Sequence, residues 1–152
     1  MFYFTEKKHY SQRAINIYKK IAPISKYKGD KIKILVVRLN HKIDKTFLKN
    51  FQNLEFIISN TTGLDHIDRT YCEINNIKIL SLNDTKKEIK DIHSTADLTL
   101  GLLIGLVRKI NLSNKYVVKQ KKFERYKFIS HDLKSLTVGI IGYGRLGKRI
   151  SK

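Results

Sequence analysis

The sequence predicts an α/β fold built on a parallel sheet, and three observations carry that prediction. Apolar, β-branched runs recur along the first part of the chain, and short amphipathic stretches alternate with them. Near the end, a further apolar run drops into a glycine-rich turn that opens a basic helix, "TVGIIGYGRLGKRISK" (137 to 152). Strands alternating with helices pair in parallel, because each crossover helix brings the chain back to start the next strand in the same direction.

"FYFT" (Phe2–Thr5) is the first strand candidate. "SQRAINIYKKI" (Ser11–Ile21) places Ala14, Ile17, Tyr18 and Ile21 on one helical face. Pro23 closes that helix, and "ISKYKGD", ending at Asp30, reads as polar connection. "KIKILVVRL" (Lys31–Leu39) is a continuous β-branched run of the kind buried on both faces of a parallel sheet. "KTFLKNF" (Lys45–Phe51) is a short amphipathic helix, and "LEFIIS" (Leu54–Ser59) the next strand. "RTYCEIN" (Arg69–Asn75) is helical, and "IKILSL" (Ile77–Leu82) is another strand. Right-handed crossovers gather the ligand loops at the carboxyl ends of such strands. Those loops are "NHKID", "NTTGLDHID" and "NDTKK", and a first domain ends near residue 90.

In "HSTADLTLGLLIGLVRKINLSN", Ser94 and Asp97 have capping-box spacing. From Leu98 to Ile110 the helix is apolar almost all round, which predicts burial between layers or against another subunit. Gly101 and Gly105 form a small-residue strip that permits close packing. "KYVVKQKKFERYKFISHDLKS" reads as a basic, aromatic loop or arm, followed by the last strand.

In the G-x-G-x-x-G turn the glycines are Gly142, Gly144 and Gly147. The first allows the tight turn, the second lets a pyrophosphate approach the backbone, and the third lets helix and strand pack closely. The opening helix offers unpaired N–H groups to the phosphate. A strand before and a helix after supply the context that a dinucleotide-binding turn requires. The acidic residue that holds the ribose, roughly 20 residues on, would lie beyond Lys152.

Composition bounds the alternatives. The net charge of +18 attracts anions, yet the lysines are spread along the whole chain and read as a solvated surface. A basic nucleic-acid-binding module centred on Lys115–Lys127 is the competing reading. No helix-turn-helix, zinc or RNP-like signature accompanies it, so nucleic acid is not the expected partner. The single cysteine, Cys72, excludes an internal disulfide and a Cys-rich metal site, and no metal is expected. The amino terminus has no long apolar core, and "LTLGLLIGLV" is too short to span a bilayer. A soluble, cytoplasmic protein is expected.

Four segments in this order resemble the amino-terminal part of the D-isomer-specific 2-hydroxyacid dehydrogenases, the family of D-3-phosphoglycerate dehydrogenase and glyoxylate reductase. They are "TTGLDHID" (Thr61–Asp68), "ADLTLGLLIGLVRKI" (Ala96–Ile110), "DLKSLTVGII" (Asp132–Ile141) and "GYGRLGK" (Gly142–Lys148). The resemblance implies a flavodoxin-like substrate lobe over residues 1–90 and the beginning of a Rossmann dinucleotide-binding lobe over 91–152. It also implies NAD or NADP as cofactor, and hydride exchange between a 2-hydroxy acid and its 2-keto acid.

Carried over by position, Thr62 resembles the residue beside the nicotinamide, and the N–H groups around Thr62 and Gly63 those that hold the substrate carboxylate. Arg145 and Leu146 resemble the pair whose backbone lies over the pyrophosphate. Arg38 resembles an arginine that phosphoglycerate-type members use for an acidic substrate; pairing with a neighbouring carboxylate is its structural alternative. His66 is expected to brace its loop, and Asp65 and Asp68 to cap loop and helix. The chain departs from the family in having no tryptophan after the long helix, and Lys134–Ser135 in place of Gly-Lys.

The family's catalytic histidine, glutamate and arginine lie well downstream of the glycine turn, so no catalytic residue is assigned. A lone strand after residue 135 has open edges and cannot bury its faces. The first lobe is therefore expected to fold and the tail to be poorly ordered. The chain alone is expected to be inactive and to bind NAD weakly or not at all. A homodimer of the full-length form, or a complementing chain, is the expected partner.

Overall fold

In the computed structural model, β1 (Phe2–Phe4) opens the chain and α1 (Gln12–Ile21) returns it to β2 (Ile24–Ser25). There follow β3 (Ile34–Val37), α2 (Lys45–Leu48), β4 (Phe56–Ser59), α3 (Arg69–Ile74) and β5 (Lys78–Ser81). The structure describes residues 1–85 and 88–152, so Lys86 and Lys87 of the "NDTKK" loop lie outside the described residues. The chain divides into two compact units, Met1–Ile89 and Lys90–Lys152.

In the first unit the strands form one five-stranded, wholly parallel sheet in the order β2-β1-β3-β4-β5. This is the flavodoxin-like order, in which the direction of winding reverses between β1 and β3. Alternation along the strands divides the core in two. Phe2, Phe4 and Val36 pack with Ile15 of α1. Leu35, Val37 and Ile57 pack with Leu48, Phe51 and Cys72 beneath α2 and α3. Leu35, Val36, Val37 and Ile57 are each 0% exposed, as a sheet covered on both faces requires.

α1 buries a different face from the one expected. Ile15 is buried, whereas Ile17 and Ile21 stand 54% and 69% exposed. The aromatic contacts explain the rotation: Tyr18 meets Phe2 and Phe4 edge-on, at centroid distances of 5.2 and 4.9 Å. The inward row is therefore Ile15, Tyr18 and Ala22. Ser11 caps the helix, its hydroxyl accepting from the Ala14 N–H at 3.2 Å. The segment after Pro23 is not plain connection. Ile24 pairs with Phe2 and Ser25 with Tyr3, giving the edge strand β2. Pro23 suits its start, since it has no N–H to lose from the ladder while its carbonyl accepts from Phe2 N–H at 2.9 Å.

The second unit contains α4 (Ser94–Val107), α5 (Ile110–Gln120) and α6 (Arg145–Ile150). Three expectations are corrected here. Ser94 and Asp97 do not form a capping box: His93 occupies the N-cap, and no side chain caps the helix. The box forms instead at Ser81 and Asp84, at the carboxyl end of β5. The long helix ends at Val107, and Lys109 in the left-handed region (φ 53°) breaks it from α5. The segment read as a loop or arm starts helically, since α5 runs to Gln120.

Within the single chain the all-apolar helix is not buried between layers. Ala96 is buried, but Leu98, Leu102 and Leu106 are exposed, and a Cβ at Gly101 or Gly105 meets nothing within 4 Å. The expected strand at Val138–Ile141 does not form. Among the described residues no strand lies beside it, and Ile141 is fully exposed. A ladder needs a partner, and an apolar run without one stays extended and unpaired.

Candidate functional site

The carboxyl ends of β3 and β4 place Arg38 and the Thr61–Asp68 loop on the same edge of the sheet, because Val37 and Ser59 are register partners. The loop is held from within and from both sides. The Ser59 and Thr61 hydroxyls are 2.7 Å apart, and Thr61 Oγ1 donates to the Gly63 carbonyl at 2.7 Å. From beyond β5, the Asn83 amide donates to the Thr62 carbonyl at 2.7 Å. From the β3–α2 loop, Ile43 N–H donates to the His66 carbonyl at 2.7 Å, and Asp68 N–H to the Ile43 carbonyl at 2.9 Å. Asp68 then caps α3, its carboxylate accepting from Tyr71 N–H at 2.9 Å.

These bonds engage the carbonyls of Thr62, Gly63 and His66 and the N–H of Asp68. Thr62 and Gly63 are exposed, and neither N–H donates to another group among the described residues. Two adjacent, unengaged amides on a loop held by these bonds offer donors suited to a carboxylate. His66 braces the loop with its carbonyl, as expected. Its ring Nε2 is buried without a partner, and burial lowers its pKa, with Asp65 and Glu6 opposing that shift.

Among the described residues Arg38 pairs with no carboxylate. Its guanidinium donates to the His9 carbonyl at 3.1 Å and lies 5.8 Å from the centroid of the Tyr10 ring. Burial pushes the Tyr10 hydroxyl up to about 12, so it is protonated at neutral pH. Glu6 is 7% exposed and accepts from Asn40 N–H at 3.2 Å. Sequence reasoning missed Glu6, Asn40 and Asn83. Glu6 carried one faint signal, a lone acid just after a strand; Asn83 sits in a loop that was singled out.

In the second unit the turn brings Gly142, Gly144, Arg145, Leu146 and Gly147 together. Gly142 has φ +92°, a conformation that side chains disfavour. Gly144 is the N-cap of α6, and its carbonyl accepts from Lys148 N–H at 3.0 Å. A Cβ at Gly147 would stand 2.4 Å from the Gly142 carbonyl oxygen, so the helix rests directly on the turn's backbone. The first-turn N–H groups of α6 have no acceptor within the helix. Arg145 donates to the Ile92 carbonyl at 3.0 Å, and Arg149 to the Lys90 carbonyl at 2.7 Å. Lys90, His93, Tyr143, Lys148 and Lys152 line the same depression, which is strongly cationic.

Comparisons with known proteins agree on one family. Residues 6–138 match the family model described as D-isomer specific 2-hydroxyacid dehydrogenase, catalytic domain. Glyoxylate/hydroxypyruvate reductase A of Arabidopsis thaliana is 30% identical over 122 residues, which cover 80% of this chain and 37% of that protein. Glyoxylate reductase of Thermococcus litoralis is 32% identical over 124 residues, 78% of this chain and 36% of that protein. D-3-phosphoglycerate dehydrogenase of Archaeoglobus fulgidus is 30% identical over 122 residues, 80% of this chain and 22% of that protein.

Among solved structures, D-lactate dehydrogenase from Aquifex aeolicus, complexed with NAD and lactic acid, superposes with a TM-score of 0.78 at 22% identity. The match covers 99% of this chain and 47% of that one. The NADPH-dependent glyoxylate/hydroxypyruvate reductase of Sinorhizobium meliloti, in complex with NADP and malonate, gives 0.71 at 18% identity, covering 99% and 48%. At these identities the superpositions establish the fold. The chain spans between 22% and 37% of the three curated relatives above. With the matched family model covering most of its length, the chain belongs to the D-isomer-specific 2-hydroxyacid dehydrogenase family.

Proposed function

We propose that this chain supplies the substrate lobe and the start of the nucleotide lobe of a cytoplasmic NAD(P)-dependent 2-hydroxyacid dehydrogenase. The observation that carries the reading is the pair of unengaged N–H groups at Thr62 and Gly63 on a loop fixed by Asn83, Ile43 and Ser59. In this reading those amides hold the substrate carboxylate, Thr62 borders the nicotinamide, and Arg38 meets a second anionic group on the substrate.

The cofactor is NAD or NADP. The residues present fit a dinucleotide: Gly147 keeps α6 against the turn, where a Cβ would collide at 2.4 Å. The backbone of Arg145 and Leu146 then covers the pyrophosphate, with Gly142 and Gly144 leaving room for it. When bound, the nicotinamide gives or takes the hydride. The residues of this chain bind and orient. The acid/base histidine, its glutamate and the carboxylate-gripping arginine belong to sequence that follows the glycine turn in the family.

The test is residue-resolved NMR of the 15N-labelled chain. Oxalate, a planar dianion shaped like a 2-keto acid, is expected to shift the amides of Arg38, Thr62 and Gly63. NADH or NADPH is expected to shift Gly142–Gly147. Shifts confined to other lysine-rich surfaces would sink the assignment. Keto-acid-dependent NADH turnover by the pure 152-residue chain would show that the histidine, glutamate and arginine have been misplaced.

A second reading has its own observation. Leu98, Leu102 and Leu106 of α4 are 62%, 61% and 78% exposed, which suits a subunit completed by another copy or a complementing chain. Copurification with a second polypeptide, lost in Leu102→Glu, supports that reading.

A further inference from the structure

We propose that Glu6 is a positioning residue: its buried carboxylate holds the β3–α2 loop, and with it Arg38, in the geometry that receives an anionic substrate. The inference rests on the reading above for Arg38, Thr62 and Gly63.

The sheet topology locates the problem Glu6 solves. In an open parallel sheet the ligand crevice forms at the carboxyl ends where winding reverses. Here that point lies between β1 and β3. The chain leaving β1 carries Thr5, Glu6, His9 and Tyr10, and the chain leaving β3 carries Arg38 and Asn40. Two hydrogen bonds stitch these segments together. Asn40 N–H donates to Glu6 Oε1 at 3.2 Å, and Arg38 donates to the His9 carbonyl at 3.1 Å. The same β3–α2 loop continues to Ile43, which bonds the Thr61–Asp68 loop in both directions, at 2.7 and 2.9 Å. Glu6 therefore anchors the near end of a chain of contacts whose far end presents Thr62 and Gly63.

A carboxylate is an unexpected choice beside an anion site, since its charge repels the ligand. No ion pair with Glu6 is present among the described residues, so it does not stand there to neutralise a cation held in contact. What it supplies is an acceptor for the Asn40 N–H beyond the end of the β3 ladder, a fixed point for a loop whose own residues Arg38, Leu39 and Asn40 are exposed. Geometry and charge thus make opposite predictions for substitution.

The experiment compares Glu6→Gln with Glu6→Ala in the 152-residue chain, using oxalate titration and amide exchange. Glu6→Gln keeps an acceptor and removes the charge; oxalate affinity should hold or rise, and Asn40 exchange should stay slow. Glu6→Ala removes both; Asn40 exchange should rise about tenfold and oxalate binding weaken several-fold, despite the lost negative charge. If Glu6→Ala fails to fold, Glu6→Asp, one methylene short of Asn40, should show the same loosening. Unchanged exchange at Asn40 and Ile43 in Glu6→Ala, or equal gains in affinity in Gln and Ala variants, overturns the proposal. If oxalate shifts none of Arg38, Thr62 and Gly63 in the unsubstituted chain, the functional reading fails instead. The exchange data then decide the positioning role alone.

Discussion

The Gly142 carbonyl oxygen occupies the space that a Cβ at Gly147 would need, the two positions being 2.4 Å apart. The obstructing atom belongs to backbone, so a side chain at 147 cannot be accommodated by a rotamer change. Gly147→Ala must lift α6 off the turn, and overpacking of this kind costs about 1–3 kcal/mol. Amide exchange across Arg145–Ile150 should accelerate accordingly, and nucleotide-induced shifts in the turn should disappear. Gly139→Ala is the control, because nothing lies within 4 Å of its Cβ; equal effects at the two sites would refute the packing argument.

His66 should make the first unit acid-sensitive. Its Nε2 is buried without a partner, and burial depresses its pKa below 6.5. The unfolded chain therefore binds the proton more readily than the folded one, and stability rises with pH in this range. The contribution is fully present above pH 6.5 and is lost as pH falls through the lower folded value. His66→Gln should flatten the urea midpoint between pH 7 and pH 5, relative to the unsubstituted chain. A midpoint that falls equally in both proteins would assign the acid sensitivity to other groups.

Asp68 serves two elements at once, donating its N–H to the Ile43 carbonyl and accepting from Tyr71 N–H at 2.9 Å. α3 has six residues and depends on that cap. Asp68→Ala should destabilise the first unit by about 1 kcal/mol, and Asp68→Asn, which keeps an acceptor oxygen, by much less. Equilibrium urea unfolding followed by circular dichroism distinguishes the two.

What the sequence disclosed, and what it withheld, follows from how far each element depends on distant partners. β3 and β4 were legible because Ile34–Val37 and Phe56–Ser59 carry their burial in their own composition. The Thr61–Asp68 loop and the glycine turn were legible because each needs particular residues at fixed spacing. β2 was not, since Ile24 and Ser25 become a strand only by lying beside Phe2 and Tyr3. The inward face of α1 was set by Tyr18 meeting Phe2 and Phe4, a contact that helical periodicity does not contain. Val138–Ile141 failed in the opposite sense: its composition promises a strand, and its surroundings offer no ladder. Glu6 carried only the faint signal of a lone acid after a strand, because its meaning lies in Asn40, 34 residues away.

Cys72 offers a direct measure of how firmly the first unit is closed. It is 0% exposed on the inward face of α3, and packs with Leu35, Ile57 and Leu48. Burial, helped by Asp68 and Glu73, pushes its thiol up to about 11, so almost no thiolate exists at neutral pH. Low accessibility and low thiolate content act together, and alkylation must then proceed through an opened state. Iodoacetamide labelling at pH 8 should be slow in native buffer and should accelerate with urea in step with the circular dichroism transition. Cys72→Ser places a hydroxyl in the same apolar cluster, where its helical acceptor is the Asp68 carbonyl that already takes the residue 72 N–H. It should cost about 1–3 kcal/mol, while Cys72→Ala, which adds no polar group, should cost less. Rapid labelling in native buffer would mean that the α3 side of the sheet opens independently. Thr62 and Gly63 would then be held by a loop far less rigid than its hydrogen bonds indicate.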